Sequence, residues 1–180
     1  MDQKWFCRKT TEWTRRVAGQ RVCCCKKGDG FPWRAVVDLR GPNAQTKRCA
    51  YPLPKIEDLL IKQTKNALFS IIDLKKAFHQ QPLHPDSRQY TSTNTPIGVY
   101  QWTVNVMGLT NAPAQFQRMM DDLLRLVEDT ATPYIDDILV GSMEEEGVNL
   151  VDKHEQDLRR VLDVLAKEKL VSGAKNVTSS

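Results

Sequence analysis

The chain has 180 residues, 41% of them hydrophobic and 27% charged, which suits one soluble domain or two small ones with a buried core. No apolar run approaches the roughly 18 residues that span a bilayer. The start, Met1-Asp2-Gln3-Lys4-Trp5, lacks the apolar centre of a signal peptide, so an intracellular protein (cytoplasmic or nuclear) with no membrane partner is expected. Five Cys, three of them consecutive at Cys23-Cys24-Cys25 with Cys7 and Cys49 distant, fit neither a disulfide framework nor a Cys-x-x-Cys zinc spacing, and are read as reduced thiols.

The net charge of +4 conceals an asymmetry: residues 1–50 carry 12 Lys and Arg against 4 Asp and Glu, or +8, leaving 14 against 18, or −4, for the remainder. A basic part joined to an acidic one suits a polyanion on one side and cations on the other; for the first 22 residues alone, a basic tail that only aids solubility is the better reading.

In chain order, residues 1–25 show no periodicity and are expected to be a poorly defined basic segment. Asp29-Gly30 marks a turn and Trp33 to Arg40 a strand, together a basic hairpin. Tyr51-Pro52-Leu53-Pro54 is a stiff extended connector, followed by a short helix with Ile56, Leu59 and Leu60 on its apolar face. Ala67 to Leu74 reads as a buried strand that delivers Asp73 at its end. Lys75 to Gln80 is a turn or short helix. Gln89 to Thr95 and Val99 to Val104 are strands about a turn at Pro96-Ile97-Gly98.

A helix then starts at Asn111 and Pro113, with Phe116, Met119, Met120, Leu123, Leu124 and Val127 along one stripe. A hairpin follows over Ala131 to Ser142. The last helix starts at an Asp152/Glu155 capping box and carries Leu158, Val161, Leu162 and Leu165. Residues 171–180 read as a tail. The order predicts an α+β fold with helices on one face of an antiparallel sheet.

The hairpin tip is Tyr134-Ile135-Asp136-Asp137. Successive strand residues point to opposite faces, so adjacent acids in an apolar run belong at a turn. Crowded carboxylates call for a cation or protons; taken alone, the tetrapeptide suits a metal site and a solvated turn equally. A second apolar strand also ends in an acid, Asp73. If the strands are neighbours, Asp73, Asp136 and Asp137 converge into a site for two hard cations about 3.5–4 Å apart, acting on a triphosphate or phosphodiester.

At this point a family resemblance emerges. Tyr134-Ile135-Asp136-Asp137 resembles the Tyr-x-Asp-Asp signature of reverse transcriptases, and Phe69 to Gln80 resembles their first acidic motif. Gly108-Leu109-Thr110-Asn111-Ala112-Pro113-Ala114-Gln115-Phe116-Gln117 resembles the motif between them. Trp33 to Arg40 with Tyr51-Pro52-Leu53-Pro54 resembles their fingers region. The flavour is that of gypsy-type long-terminal-repeat retrotransposons, over residues 26–170.

The resemblance implies a fingers-and-palm α+β fold without a thumb, and an RNA-directed DNA polymerase using two Mg2+ ions, with Mn2+ as a substitute. Its partners would be an RNA or DNA template with primer, a dNTP, and the rest of a Pol polyprotein (thumb, ribonuclease H, integrase). Asp73 and Asp136 become the principal ligands and Asp137 a weaker third. Arg34, assisted by Lys27 (or Lys26), becomes a triphosphate grip, with a solvated basic turn as the other reading of the lysines. Phe78 becomes the gate beneath the sugar, with core packing as its other reading. Val106-Met107 stands where the family carries Pro-Phe, which puts Met107 against the incoming nucleotide. Gln117, on the polar side of its helix, is placed to contact template or nucleotide. A second reading is a truncated, inactive remnant that folds and binds nucleic acid without polymerising.

Overall fold

A computed structural model describes residues 7–9, 20–25 and 34–179, with side chains described from 37 to 173. The chain divides into two units, each assembled from two sequence segments: residues 1–48 with 78–112, and 49–77 with 113–180.

In the first unit, β1 (Cys7–Lys9), β2 (Gln20–Cys25), β3 (Arg34–Val37), β5 (Thr93–Thr95) and β6 (Gly98–Trp102) form a sheet in the order β1-β6-β5-β2-β3. Strands β2 and β3 are antiparallel, pairing Cys25 with Arg34 and Val22 with Val37. The strand expected after the turn is thus present over Arg34–Val37, and the strand before it in the chain is the segment holding the three cysteines; the turn expected at Asp29-Gly30 lies outside the described residues. Residues 20–25, expected to lack definite structure, are a strand.

Val37, Leu39 and Val106 are buried together, with Trp102 and Leu109 packed against them. Helix α1 (Arg40–Gln45) follows β3 where the sequence suggested that the strand continued. Its Asn43 accepts from the Thr110 N–H at 3.0 Å and donates to the Gly108 carbonyl at 2.7 Å, clamping the Gly108–Thr110 loop. Residues Pro85–Thr91 are a 3₁₀ turn, so the strand expected from Gln89 begins only at Thr93. The His84 side chain and Pro85 open that turn, and the hydroxyls of Thr91 and Ser92 close it on the carbonyls of Arg88 and Gln89. These local bonds displace ladder bonds.

The second unit holds a sheet of β7 (Ala131–Tyr134), β8 (Asp137–Ser142), β4 (Leu68–Leu74) and β9 (Ser172–Ser179), in the order β7-β8-β4-β9, all antiparallel. The segment read as a C-terminal tail is thus a strand beside β4. Helices α2 (Ile56–Gln63), α4 (Ala112–Leu124) and α5 (Leu150–Lys167) complete the unit, α4 entering it at Pro113.

The α4 stripe is buried as expected, with Phe116 and Met120 fully enclosed. Ile72, Leu74, Leu124, Val127, Ile138, Val140, Val161 and Leu165 are buried with them in this unit. At roughly 1.5–3 kcal/mol per buried large apolar side chain, this burial is the main force holding the unit together.

Two helix expectations are corrected. On α2, Ile56 and Leu60 are 56% and 63% exposed while Gln63 is buried. Gln63 bonds Thr132 at 3.2 Å and accepts from Asn66, so a polar network rather than an apolar stripe seats that helix. Helix α5 is capped by Asn149, which accepts from the Val151 N–H at 2.9 Å, not by Asp152; Glu155 instead pairs with Arg159.

Helix α5 also sends His154 into the sheet. Its Nε2 lies 2.8 Å from the Ser70 hydroxyl of β4, and its Nδ1 lies 2.9 Å from the Ser142 hydroxyl of β8. Ser142 donates to the buried Asp157 at 2.7 Å, so the His154 Nδ1 carries the proton and donates to Ser142, and Ser70 donates to Nε2. Burial holds the His154 pKa down, opposed by Asp157. One neutral imidazole thus clips β4 to β8 and helps to fix their register.

Candidate active site

That register decides where the acids fall. β4 and β8 pair from Leu68 with Ser142 through Ile72 with Ile138 to Asp73 with Asp137. Ser70, Ile72 and Leu74 are buried while Ile71 is exposed, so alternation places Asp73 on the open face. Directly paired residues share a face, and Asp137 therefore lies beside Asp73. Asp136 belongs to the turn, where its carbonyl accepts from the Leu74 N–H at 3.1 Å. The convergence of the two acidic strands expected from the sequence is present, and the residue directly opposite Asp73 is Asp137.

The turn itself is unusual. Tyr134 pairs with Asp137, leaving a two-residue loop, Ile135-Asp136, with φ +55° at Ile135. A positive φ at the first loop position alone is the pattern of a type II′ turn, which favours glycine there. A β-branched residue in that region costs of order 1–3 kcal/mol and persists only when its surroundings impose it.

Gln117 of α4 supplies that constraint. Its Oε1 accepts from the Ile135 N–H at 2.7 Å, and its Nε2 donates to the Pro133 carbonyl at 3.0 Å and to Asp121 at 2.9 Å. The side chain is fully buried. The expectation that Gln117 lies on the polar, exposed side of the helix is therefore corrected: the turn backbone needs an acceptor and a donor at this spot, and the amide provides both. The neighbouring Arg118 is exposed.

Electrostatically the acids oppose one another. The Asp137 carboxyl is held above its usual range, first by partial desolvation and then by the negative charges of Asp136 and Asp73. Among the described residues, no three His, Cys, Asp or Glu side chains close into a metal cage. A hard divalent cation that keeps waters and substrate phosphates needs only one or two protein carboxylates. The donor set, all carboxylate oxygen, fits such an ion.

The remaining candidates belong to the first unit. Phe78 is half-buried on α3 (Ala77–Gln80). Met107 is 46% exposed, while Val106 beside it is core. Arg34 opens β3, its side chain lying outside the described residues, as does Lys27 altogether. Sequence reasoning missed Asn43, His154 and Tyr51. Tyr51 donates to Asp121 at 2.5 Å, and its motif was read only as a stiff connector.

In this α+β unit two adjacent antiparallel strands thus bring carboxylates face to face at one end. The family model for reverse transcriptase (RNA-dependent DNA polymerase) matches residues 25–175, and the chain belongs to that family.

Among curated relatives, it is 32% identical to a putative enzymatic polyprotein of Cassava vein mosaic virus over 79% of this chain and 21% of that protein. It is 40% identical to the enzymatic polyprotein of Cauliflower mosaic virus (strain Strasbourg) over 63% of this chain and 17% of that protein. It is 39% identical to the retrovirus-related Pol polyprotein from transposon 297 of Drosophila melanogaster over 61% and 10%. The chain thus spans about a fifth or less of these relatives.

Its fold matches a foamy viral protease-reverse transcriptase solved with double-stranded DNA, at TM-score 0.83 and 24% identity over 98% of this chain and 29% of that one. A second foamy viral structure, solved with an RNA/DNA hybrid, matches at TM-score 0.81 and 24% identity over 96% and 22%. The match extends to the fingers and palm expected from the sequence.

Proposed function

We propose that the chain is the fingers-and-palm part of an RNA-directed DNA polymerase encoded in a retroelement Pol polyprotein, of the gypsy-type long-terminal-repeat class. The observation that carries this reading is the pairing of Asp73 with Asp137 beside a turn that holds Asp136, within a chain of the reverse transcriptase family. The similarity to a retrovirus-related Pol polyprotein of a transposon supports a retroelement origin.

In this reading the primer 3′-hydroxyl attacks the α-phosphorus of a dNTP, and the bond to pyrophosphate breaks. Asp73, Asp136 and Asp137 would hold two Mg2+ ions, with Mn2+ as a substitute. When bound, the ions lower the pKa of the hydroxyl and balance charge on the leaving pyrophosphate. Arg34 and Lys27 grip the triphosphate, Met107 lies against the nucleotide, and Phe78 excludes a ribose 2′-hydroxyl. Gln117 serves by holding the turn rather than by touching substrate. Template and primer lie along the basic part, so affinity falls steeply with salt. The setting is intracellular, in a cytoplasmic particle or the nucleus.

Primer extension on a poly-rA template with oligo-dT, dTTP and Mg2+ tests the reading. Extension that Asp136→Asn abolishes supports it. Template binding without extension supports instead an inactive remnant that has kept the fold.

A further inference from the structure

Gln117 holds the strained turn, and two further side chains hold Gln117. Asp121, one helical turn along α4, accepts from Gln117 Nε2 on Oδ1 at 2.9 Å and from the Tyr51 hydroxyl on Oδ2 at 2.5 Å. Tyr51 stands before Pro52 and Pro54, whose rings restrict the backbone of the segment. The four groups form one directed chain: Tyr51 O–H to Asp121, Gln117 N–H to Asp121, and Ile135 N–H to Gln117 Oε1.

The direction matters because an amide has two different ends. A flipped Gln117 would present its NH2 to the Ile135 N–H, and two donors would face each other. A carbonyl and an ionised carboxylate accept only, so the Pro133 carbonyl and Asp121 together keep Nε2 on their side and leave Oε1 for Ile135. Tyr51 in turn fixes which way the carboxylate faces. The Tyr51 pKa is raised, chiefly by this bond to Asp121, so the hydroxyl stays a donor throughout the neutral range.

We propose that Tyr51 and Asp121 are positioning residues for the carboxylate-bearing turn, acting through Gln117 on the positive-φ conformation of Ile135. For catalysis this rests on the polymerase reading above; for the turn itself it does not. What Ile135 requires is an acceptor at position 121 facing Gln117 Nε2, and the Tyr51 bond holds that acceptor in place, at the one non-glycine left-handed residue in the segment bearing Asp136 and Asp137.

The test is residue-resolved amide hydrogen exchange on the full chain, with no metal or nucleic acid, alongside steady-state dTTP incorporation. Tyr51→Phe removes one oxygen and keeps the ring. Exchange at Ile135 is expected to rise at least about fivefold, with Ile72 and Val140 in the sheet unchanged. Asp121→Ala is expected to do the same. Asp121→Asn is expected to keep most of the protection, because its carbonyl can accept from Gln117 while its NH2 donates to the Tyr51 oxygen.

In incorporation, Tyr51→Phe is expected to lower kcat about three- to tenfold with the KM for dTTP unchanged. Unchanged exchange at Ile135 in Tyr51→Phe, or equal acceleration at Ile135, Ile72 and Val140, overturns the proposal. So does selective opening of Ile135 with kcat unaltered. If the wild-type chain incorporates no dTTP while Tyr51→Phe still selectively opens Ile135, the polymerase reading falls and the positioning of the turn stands.

Discussion

Two hairpins in this chain solve the same geometric problem with different residues. Both close on two-residue loops, Pro96-Ile97 between Thr95 and Gly98, and Ile135-Asp136 between Tyr134 and Asp137. In the first, Pro96 restricts one φ and Gly98 takes φ +141°, which glycine adopts freely. The Thr95 hydroxyl donates to the Gly98 carbonyl at 2.7 Å, and Ile97 is 78% exposed. In the second, a β-branched residue takes φ +55° and a buried amide from another element holds it there. Local residue choice is enough for the first hairpin, whereas the second depends on tertiary contacts. Strain of this kind, retained beside carboxylates where a glycine would have relieved it, is found at functional sites.

The largest effect expected from breaking this asymmetry is chemical. Asp136→Asn should lower primer extension by at least about 10²–10³-fold, the size of effect that follows loss of one group stabilising developing charge. Its thermal midpoint should stay at or above that of the parent, since the substitution removes like-charge repulsion. Extension within tenfold of the parent would remove Asp136 from the site.

Next in size is the support. Gln117→Ala leaves the Ile135 N–H and the Pro133 carbonyl without their partner in a buried setting, and should cost about 2–3 kcal/mol in urea unfolding. A change below 1 kcal/mol would mean that water replaces the amide. Exchanging the two solutions should then show opposite signs. Gly98→Ala should destabilise by about 1–3 kcal/mol, because an alanine at that φ is strained. Ile135→Gly should stabilise by up to about 1 kcal/mol in midpoint while lowering extension, because the turn is released from its single conformation. Stabilisation with full activity would show that the strain has no role.

The sequence made the framework legible where one physical signal dominated. The stripe from Phe116 to Leu124 on α4, continued by Val127 in the 3₁₀ turn after it, was readable because its period matches one buried helix face. The convergence of Asp73 with the 136–137 pair followed from two apolar strands that each ended in acid. Illegible were features that depend on what an element meets in space. Ile56 and Leu60 have helical spacing, yet Gln63 is the buried residue of α2. Gln117 has the composition of a surface residue and becomes core only because a turn backbone needs both its donor and its acceptor. Residues 20–25 and 172–179 carry little apolar pattern and gain their strand identity from pairing with β3 and β4. Asn149 outcompeted the Asp152/Glu155 box as cap because α5 begins at Leu150.

Asp137 offers the finest test, because proton, charge and metal compete at one carboxylate. Its pKa is raised by desolvation and by Asp136 and Asp73, so between the ordinary aspartate value and the raised one the folded chain binds more protons than the unfolded chain. Stability attributable to this group is therefore greatest at acid pH and falls as pH rises through the raised value. Asp137→Asn removes that dependence and, by lifting a direct cross-strand repulsion with Asp73, should raise stability at pH 7 by about 0.5 kcal/mol. The gain should shrink as the same melts are taken to more acid pH, because the raised pKa protonates the parent carboxyl there. Saturating Mg2+ should close the gap from the other side, stabilising the parent more than the variant, because the parent offers the cation one more anionic oxygen ligand. Equal responses to Mg2+ would remove Asp137 from the ligand set and leave Asp73 and Asp136 as the pair that matters.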